Sequence, residues 1–295
     1  MADEHGLIAS VLMCVYNVEK DIRKSIDSIL SQTVKDFELV VVDDASTDGT
    51  RRIIESFADK RISYFRNDLN LGIQKSRNKT LKLAKSELVF FTDGDCAVSE
   101  DWIEQGLKCL EKEGIVGVEG RTYYISKDYK HSFSDRIIKN DKPGQYMTCN
   151  MAYKKSVIER IGGFDERHTY MGDRDAALKA MKFGRIDFNA DMVVYHQKRT
   201  FTPKQFVQTG GSRIRNRVLL YKRYGKRSDA RVAWKVFYPR NLLLILFPPL
   251  VFGSFFRQRY KTKEDFALFP YIYVRVIFER LNIWDMCAKE RVFLI

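Results

Sequence analysis

Short apolar runs alternate with helically spaced apolar positions along the first two thirds of the chain. Ile8-Ala9-Ser10-Val11-Leu12-Met13-Cys14 predicts a first strand, and Val15-Tyr16-Asn17 a loop after it. Residues 19–31 place Ile22, Ile26, Ile29 and Leu30 at helical spacing. Phe37 to Val42 predicts a second buried strand ending in Asp43-Asp44, after which Ser46, Thr47 and Asp48 offer N-caps to a helix through about residue 58. Ile62 to Phe65 reads as a third strand, Asn70-Leu71-Gly72 as a turn and 73–85 as a helix. Leu88-Val89-Phe90-Phe91 is a fourth strand, with Asp93 and Asp95 around Gly94 at its end. A helix over 101–113 (Trp102, Ile103, Leu107, Leu110) and a strand over Ile115 to Val118 follow. This alternation predicts an α/β fold: a mostly parallel sheet with helices on both faces.

Farther on, residues 120–153 mix strand signals with an expected mobile loop around Lys139 to Gly144. Ser156 to Ile161 predicts a short helix stopped by Gly162-Gly163. A polar loop from Asp165 to Met171 leads to a helix over 173–183, whose opening Asp173 and Asp175 suit a helix N-terminus. Met192 to Tyr195 is a strand ending at His196. Two predicted strands thus end in carboxylates on one sheet edge, where open α/β sheets bind ligands. Two hard oxygen donors on a tight turn suit Mg²⁺ or Mn²⁺ carrying a diphosphate. Taken alone, Asp93-Gly94-Asp95 also fits an ordinary Asp-Gly turn.

Composition adds compartment and partner. At 295 residues and 45% hydrophobic, the chain can build a sizeable core. Its five cysteines are scattered and form no CxxC pair, which fits a reducing compartment and excludes a disulfide scaffold or a cysteine zinc site. The N-terminus has no basic region leading into a long apolar run, so a cytoplasmic N-terminal domain is expected. The net charge of +13 is uneven. Residues 1–196 hold 30 Lys and Arg against 32 Asp and Glu, whereas 197–295 hold 21 against 6, a net of +15. That asymmetry points to a polyanionic partner for the second part.

Residues 203–224 predict a basic helix with Arg213, Arg215, Arg217, Lys222 and Arg223. Asn241 to Phe256 is then a run of 16 uncharged residues broken by Pro248-Pro249, shorter than the about 20 a spanning helix needs. Arg240, Arg257, Arg259 and Lys261 flank it, and a second apolar stretch runs from Phe266 to Val274. Aromatic and basic borders suit interfacial helices on an anionic membrane surface; packing on the catalytic domain or a dimer interface is the alternative. The expected division is a catalytic domain over 1–200 and a helical, membrane-associating region over 201–295. Nucleic acid is not an expected partner: Tyr221, Tyr224, Trp234 and Tyr238 interleave with the basic residues, but no recognition motif accompanies them.

Six ordered motifs resemble family 2 glycosyltransferases of the GT-A fold. They are Ser10 to Asn17, with Cys14 where a proline is usual; Ser28 to Thr33; Val41 to Thr50; Asn70-Leu71-Gly72 with Ser76-Arg77-Asn78; Asp93-Gly94-Asp95; and Gly162 to Glu166. The resemblance implies that Tyr16 and Asn17 meet the donor base and that Asp44 accepts its ring N–H. It puts Arg77 beside the base or carboxylates, Asp93 on ribose or metal, Asp95 on the metal and His196 at the metal or diphosphate. Gly163, Phe164 and Asp165 fall on the acceptor side. The family's Glu-Asp-x-Asp motif matches Gly172-Asp173-Arg174-Asp175, with glycine replacing glutamate. Asp173 is then the base, with Asp175 as fallback. The implied reaction is a Mn²⁺- or Mg²⁺-dependent, inverting transfer from a nucleoside-diphosphate sugar, by resemblance a UDP-sugar, to a hydroxyl of a lipid-linked or membrane-bound glycan at the cytoplasmic face of the membrane. A polyprenyl- or dolichyl-phosphate glycosyl synthase is the alternative. A nucleotidyltransferase would need a glycine-rich basic loop where Val15-Tyr16-Asn17-Val18 stands.

Overall fold

A computed structural model describes residues 6–130, 132–225, 252–257 and 261–291. The first half of the sheet follows the apolar runs closely. Strands β1 (Ala9–Val15), β2 (Phe37–Asp43), β3 (Ile62–Arg66) and β4 (Leu88–Asp93) lie in the order β3-β2-β1-β4, all parallel. Every residue of β1 and β2 is buried, which is why they read as continuous apolar runs rather than alternating ones.

Helices cover both faces. On one lie α1 (Ile22–Leu30) and α4 (Trp102–Leu110), whose Ile22, Ile26, Ile29, Trp102 and Ile103 pack with Phe90. On the other lie α3 (Ile73–Leu83), α5 (Lys155–Arg160) and α6 (Gly172–Ala180), packing Leu81, Ile158, Ala176 and Ala180 against Val89 and Phe91. Because side chains alternate along β4, Asp93 leaves the strand on the Phe91 face, toward α3 and α6.

Beyond β4 the sheet departs from the expected parallel order. It continues β7-β6-β8-β5, in which β7 (Met151–Lys154) is antiparallel to β4 and to β6 (Ile115–Tyr124). β8 (Arg185–His196) runs parallel to β6 and antiparallel to β5 (Cys96–Val98). Two of these strands are longer than their apolar cores. β6 extends to Tyr124 through a register shift at Gly120/Arg121, and β8 begins at Arg185 with partly exposed, polar-rich residues. β5 is a three-residue strand straight after the Asp93-Gly94-Asp95 turn, too short to leave a periodic signal.

Two local expectations are corrected. Ser46 and Thr47 do not cap a helix: α2 spans only Thr50–Glu55 with Gly49 at its N-cap, while Asp48 Oδ1 accepts the N–H of Thr50 (3.0 Å). These residues instead tie the β2 loop to the β1 loop. Asn17 N–H donates to Ser46 Oγ (3.0 Å), Glu19 N–H to Asp48 Oδ2 (3.2 Å) and Thr47 N–H to Asn17 Oδ1 (2.8 Å). Nor is the chain near Gly144 loose. Buried Glu119 accepts the backbone N–H groups of Gly144, Gln145 and Tyr146 and an amide N–H of Asn140.

The chain divides into two compact units, one of Met1–Lys127 with Ile138–Gln197, the other of Asp128–Ile137 with Lys198–Ile295. The second takes up a segment from inside the first 200 residues. Its core joins Phe133 to Phe206, Phe255, Leu268 and Ile272, and Ser134 N–H donates to buried Asp265 at 2.5 Å. Helix α7 (Pro203–Tyr224) has Pro203 in its first turn and a capping box between Thr202 and Gln205. It packs on α10 (Tyr271–Glu290); a Cβ at Gly211 would come 2.5 Å from Phe278. Two shorter helices, α8 (Gly253–Phe256) and α9 (Lys263–Leu268), lie among its described residues. No helix among the described residues is long and apolar enough to cross a membrane. Most of the apolar run from Asn241, together with Trp234, Tyr238, Arg240 and Arg259, lies outside the described residues.

Candidate active site

The turn after β4 is shaped by one glycine. A Cβ at Gly94 would stand 2.7 Å from Val15 Cγ1 and 3.1 Å from Val18 Cγ2, so the chain can press onto β1 and α1 only without a side chain there. Ser25 Oγ–H holds the Gly94 carbonyl at 2.9 Å. With Gly94 fixed, Asp93 and Asp95 leave the turn from opposite ends. β5 then pairs with β8, placing Cys96 opposite His196. This ladder brings His196 Nε2 to 3.5 Å from Asp95 Oδ2. Asp93, Asp95, Cys96 and His196 each offer a ligand atom within 4.8 Å of the others.

The donor set fits a hard divalent cation. His196 Nδ1 lies 2.9 Å from the Gln197 carbonyl oxygen, which can only accept. Nδ1 therefore carries the proton and Nε2 presents its lone pair on the Asp95 side. Cys96 is the poor member. Burial pushes its thiol well above the usual range, reinforced by a hydrogen bond with Cys149 and by the Asp95 charge, so it stays protonated. Two carboxylates and one imidazole suit Mn²⁺ or Mg²⁺ better than a soft metal.

A second cluster, Asp165, His168 and Asp175, is equally compact but already has its cation. Lys179 Nζ sits 2.8 Å from Asp175 Oδ2, with Asp175 fully buried. That separates the two candidate bases. Asp175 is committed to an ion pair inside α6. Asp173, one residue after the buried Gly172, keeps partial exposure and receives the backbone N–H groups of Arg174 and Thr148. Burial raises its carboxyl pKa; Arg77 opposes that rise and Asp93 adds to it. Arg77 also lies 3.7 Å from Asp93 and 5.7 Å over the Phe164 ring. Asp93, Arg77 and Asp173 therefore share one electrostatic neighbourhood.

The other expected residues divide sharply. Tyr16 is 46% exposed at the β1 loop and free to meet a flat ring. Asn17, held at φ 52°, uses its side chain to staple the β2 loop. Asp44 is 4% exposed, and both its oxygens already accept: Asn67 Nδ2 and Leu71 N–H on Oδ1, Gly72 N–H on Oδ2, each at 2.8 Å. Phe164 belongs to the core, 2% exposed and edge-on to Phe91 at 5.3 Å, so its ring does not face an acceptor. Asp165 pairs with Arg167 at 2.6 Å. Gly163 is needed at φ 72°, where a Cβ would come 2.6 Å from Asn78 Oδ1. Asn78, a motif residue without an expected role, clamps this loop by accepting from Phe164 N–H and donating to its carbonyl.

Known proteins share this family and fold. Residues 10–222 match the glycosyl transferase family 2 profile. The fold superposes on S. aureus TarS in complex with UDP (TM-score 0.56, 20% identity, 96% of this chain and 91% of that one). It also superposes on the mannosyltransferase PcManGT from Pyrobaculum calidifontis in complex with GDP-Man and Mn²⁺ (TM-score 0.61, 18% identity, 94% and 87%). The fold is α/β and GT-A-like, and the chain belongs to glycosyl transferase family 2. It is a glycosyltransferase. Among similar sequences, the glycosyltransferase AglE of Haloferax volcanii is 27% identical over 205 residues (65% of this chain, 67% of AglE). The Escherichia coli enzyme WfaP, named as a UDP-Glc:α-D-GlcNAc-diphosphoundecaprenol β-1,3-glucosyltransferase, is 30% identical over 172 residues (58% and 68%).

Proposed function

We propose that this enzyme transfers a sugar from a UDP-sugar to a hydroxyl of a lipid-linked glycan, with inversion and with a divalent cation. The carrying observation is the convergence of Asp93, Asp95 and His196 at one sheet edge, with Asp173 in the same electrostatic neighbourhood through Arg77. Tyr16 offers its ring to the donor base. Asp93, Asp95 and His196 would hold Mn²⁺ or Mg²⁺, which when bound offsets the charge growing on the diphosphate. Asp173 takes the proton from the acceptor hydroxyl as that oxygen bonds to the anomeric carbon. The bond from that carbon to the diphosphate oxygen breaks in line, and the electron pair leaves with the diphosphate. The raised carboxyl pKa makes Asp173 a stronger base than an ordinary aspartate. Arg77, beside both Asp93 and Asp173, orients the two carboxylates.

The lipid-linked acceptor is supported by the acceptor named for WfaP and by the second unit's surface. Phe256, Phe266, Val274, Leu281 and Trp284 are each 46% exposed or more there, within the +15 part of the chain. Exposed aromatic and aliphatic side chains on a basic region suit peripheral attachment to an anionic membrane surface, here assigned to the cytoplasmic side. The test is a thermal-shift screen of UDP-, GDP- and dTDP-sugars with and without Mn²⁺. The largest shift should come from a UDP-sugar with Mn²⁺, and Asp95→Ala should abolish it. A shift indifferent to Mn²⁺ and to Asp95 would sink the metal reading; a larger GDP-sugar shift would replace the donor. Flotation with phosphatidylglycerol vesicles tests attachment, and a chain that stays at the bottom of the gradient refutes it.

A further inference from the structure

One guanidinium beside the proposed base stands apart from the other arginines of the first unit. Among the described residues there, Arg61, Arg77, Arg121 and Arg174 are the arginines that are partly or fully buried. Arg61 donates to Asp59, Arg77 lies 3.7 Å from Asp93, and Arg121 donates to Tyr123 Oη. Arg174, in the first turn of α6, makes no such contact: among the described residues its guanidinium has no hydrogen bond, ion pair or ring partner. Its flanking carboxylates are used otherwise. Asp175 pairs with Lys179, and Asp173 accepts the backbone N–H of Arg174, not its side chain. Nε is enclosed and unpartnered, an unfavourable state for a charged donor. The residue as a whole is partly exposed, so the terminal nitrogens are open to solvent. Its charge acts on the side of α6 away from the metal cluster. Burial raises the Tyr146 phenol, Glu119 adds to the rise and Arg174 opposes it. Tyr146 Oη also lies 3.7 Å from Sδ of Met181, two turns after Arg174 on the same face. Asp173, in contrast, answers to Arg77 and Asp93.

We propose that Arg174 is an acceptor-binding residue whose guanidinium fork holds a phosphate of the acceptor, the diphosphate of a polyprenyl-linked sugar. A guanidinium matches phosphate oxygens bidentately, which a lone ammonium does not. Asp173 and Arg174 are consecutive, with Cα atoms about 3.8 Å apart, so one ligand can give a hydroxyl to the first and an anion to the second. The donor's diphosphate is assigned to Asp93, Asp95 and His196, which leaves Arg174 for a second anion. The proposal rests on the lipid-linked acceptor reading, and the experiment separates the two.

Binding of undecaprenyl diphosphate and of undecaprenol is measured in neutral detergent micelles, with UDP and Mn²⁺ saturating the donor site. Wild type should bind the diphosphate about 10–100-fold more tightly than the alcohol. Arg174→Gln should lose most of that preference, and Arg174→Lys, which keeps the charge without the fork, should lose part of it. Phosphatidylglycerol at the same mole fraction should not displace the diphosphate. The melting temperature of Arg174→Gln should stay within about 2 °C of wild type, and its shift with UDP and Mn²⁺ should persist. A preference that survives in Arg174→Gln overturns the proposal alone. No preference in wild type overturns the diphosphate-linked acceptor and the proposal together. Displacement by phosphatidylglycerol makes Arg174 a headgroup contact and overturns its acceptor role. A melting temperature lowered by about 5 °C or more in Arg174→Gln also overturns it, because the guanidinium is then partnered in the free protein.

Discussion

Carboxylates at the end of β2 and at the end of β4 have opposite environments. Asp43 accepts from Ser46 N–H and Tyr64 Oη–H, and Asp44 from Asn67, Leu71 and Gly72. Both are held by the protein's own donors. Asp93 has one distant guanidinium, Asp95 faces an imidazole at 3.5 Å, and Asp173 carries a raised pKa from burial. Both sets sit on one sheet edge and look alike in sequence. The β2 pair is held by donors of its own loop and neighbouring strands, whereas Asp93, Asp95 and Asp173 are the carboxylates of the proposed metal and base sites.

The contrast breaks most visibly at Asp173. Asp173→Asn should lower kcat by about 10²–10⁴ while nucleotide binding persists; steady-state kinetics beside a UDP titration will show it. Asp44→Ala should act on folding instead, costing about 3 kcal/mol by orphaning the Leu71 and Gly72 amides, read from urea unfolding. Gly94→Ala should cost about 1–3 kcal/mol, because its methyl meets Val15, and should weaken Mn²⁺-dependent binding by displacing Asp95. The smallest effect is one of pH. A carboxyl raised above its ordinary 3.8 by burial favours folding when protonated, and that contribution disappears as pH rises through the raised value. Asp173→Asn should therefore melt slightly above wild type at neutral pH, with the gap closing toward about pH 3. The acid limb of kcat/KM should fall above the ordinary aspartate range.

The parallel half of the sheet was legible because strands buried on both faces must be apolar throughout. The antiparallel half was not, since β8 starts as an exposed, mixed stretch and β5 has three residues. Residue type and order also led to the Asp-Gly-Asp turn and His196, and the structure brings Asp93, Asp95 and His196 close together. What sequence could not show is which carboxylates are already satisfied. Asp44 accepts from Asn67, Leu71 and Gly72, Asp175 pairs with Lys179, and Phe164 packs on Phe91 in the core.

The Cys96–His196 rung has a consequence for how the enzyme is made. Asp95 and His196 are about a hundred residues apart, so joining them closes a long loop, an entropically costly and slow event compared with local helix formation. On a ribosome adding about 5–20 residues each second, the nucleotide loop is complete well before β8 emerges. A chain aborted in between carries Asp93 and Asp95 but no imidazole to join them. With Asp95 and His196 in their proposed roles, competence to hold the donor's diphosphate would be withheld until nearly the whole first unit has been synthesised, and prematurely terminated products should not consume nucleotide sugar.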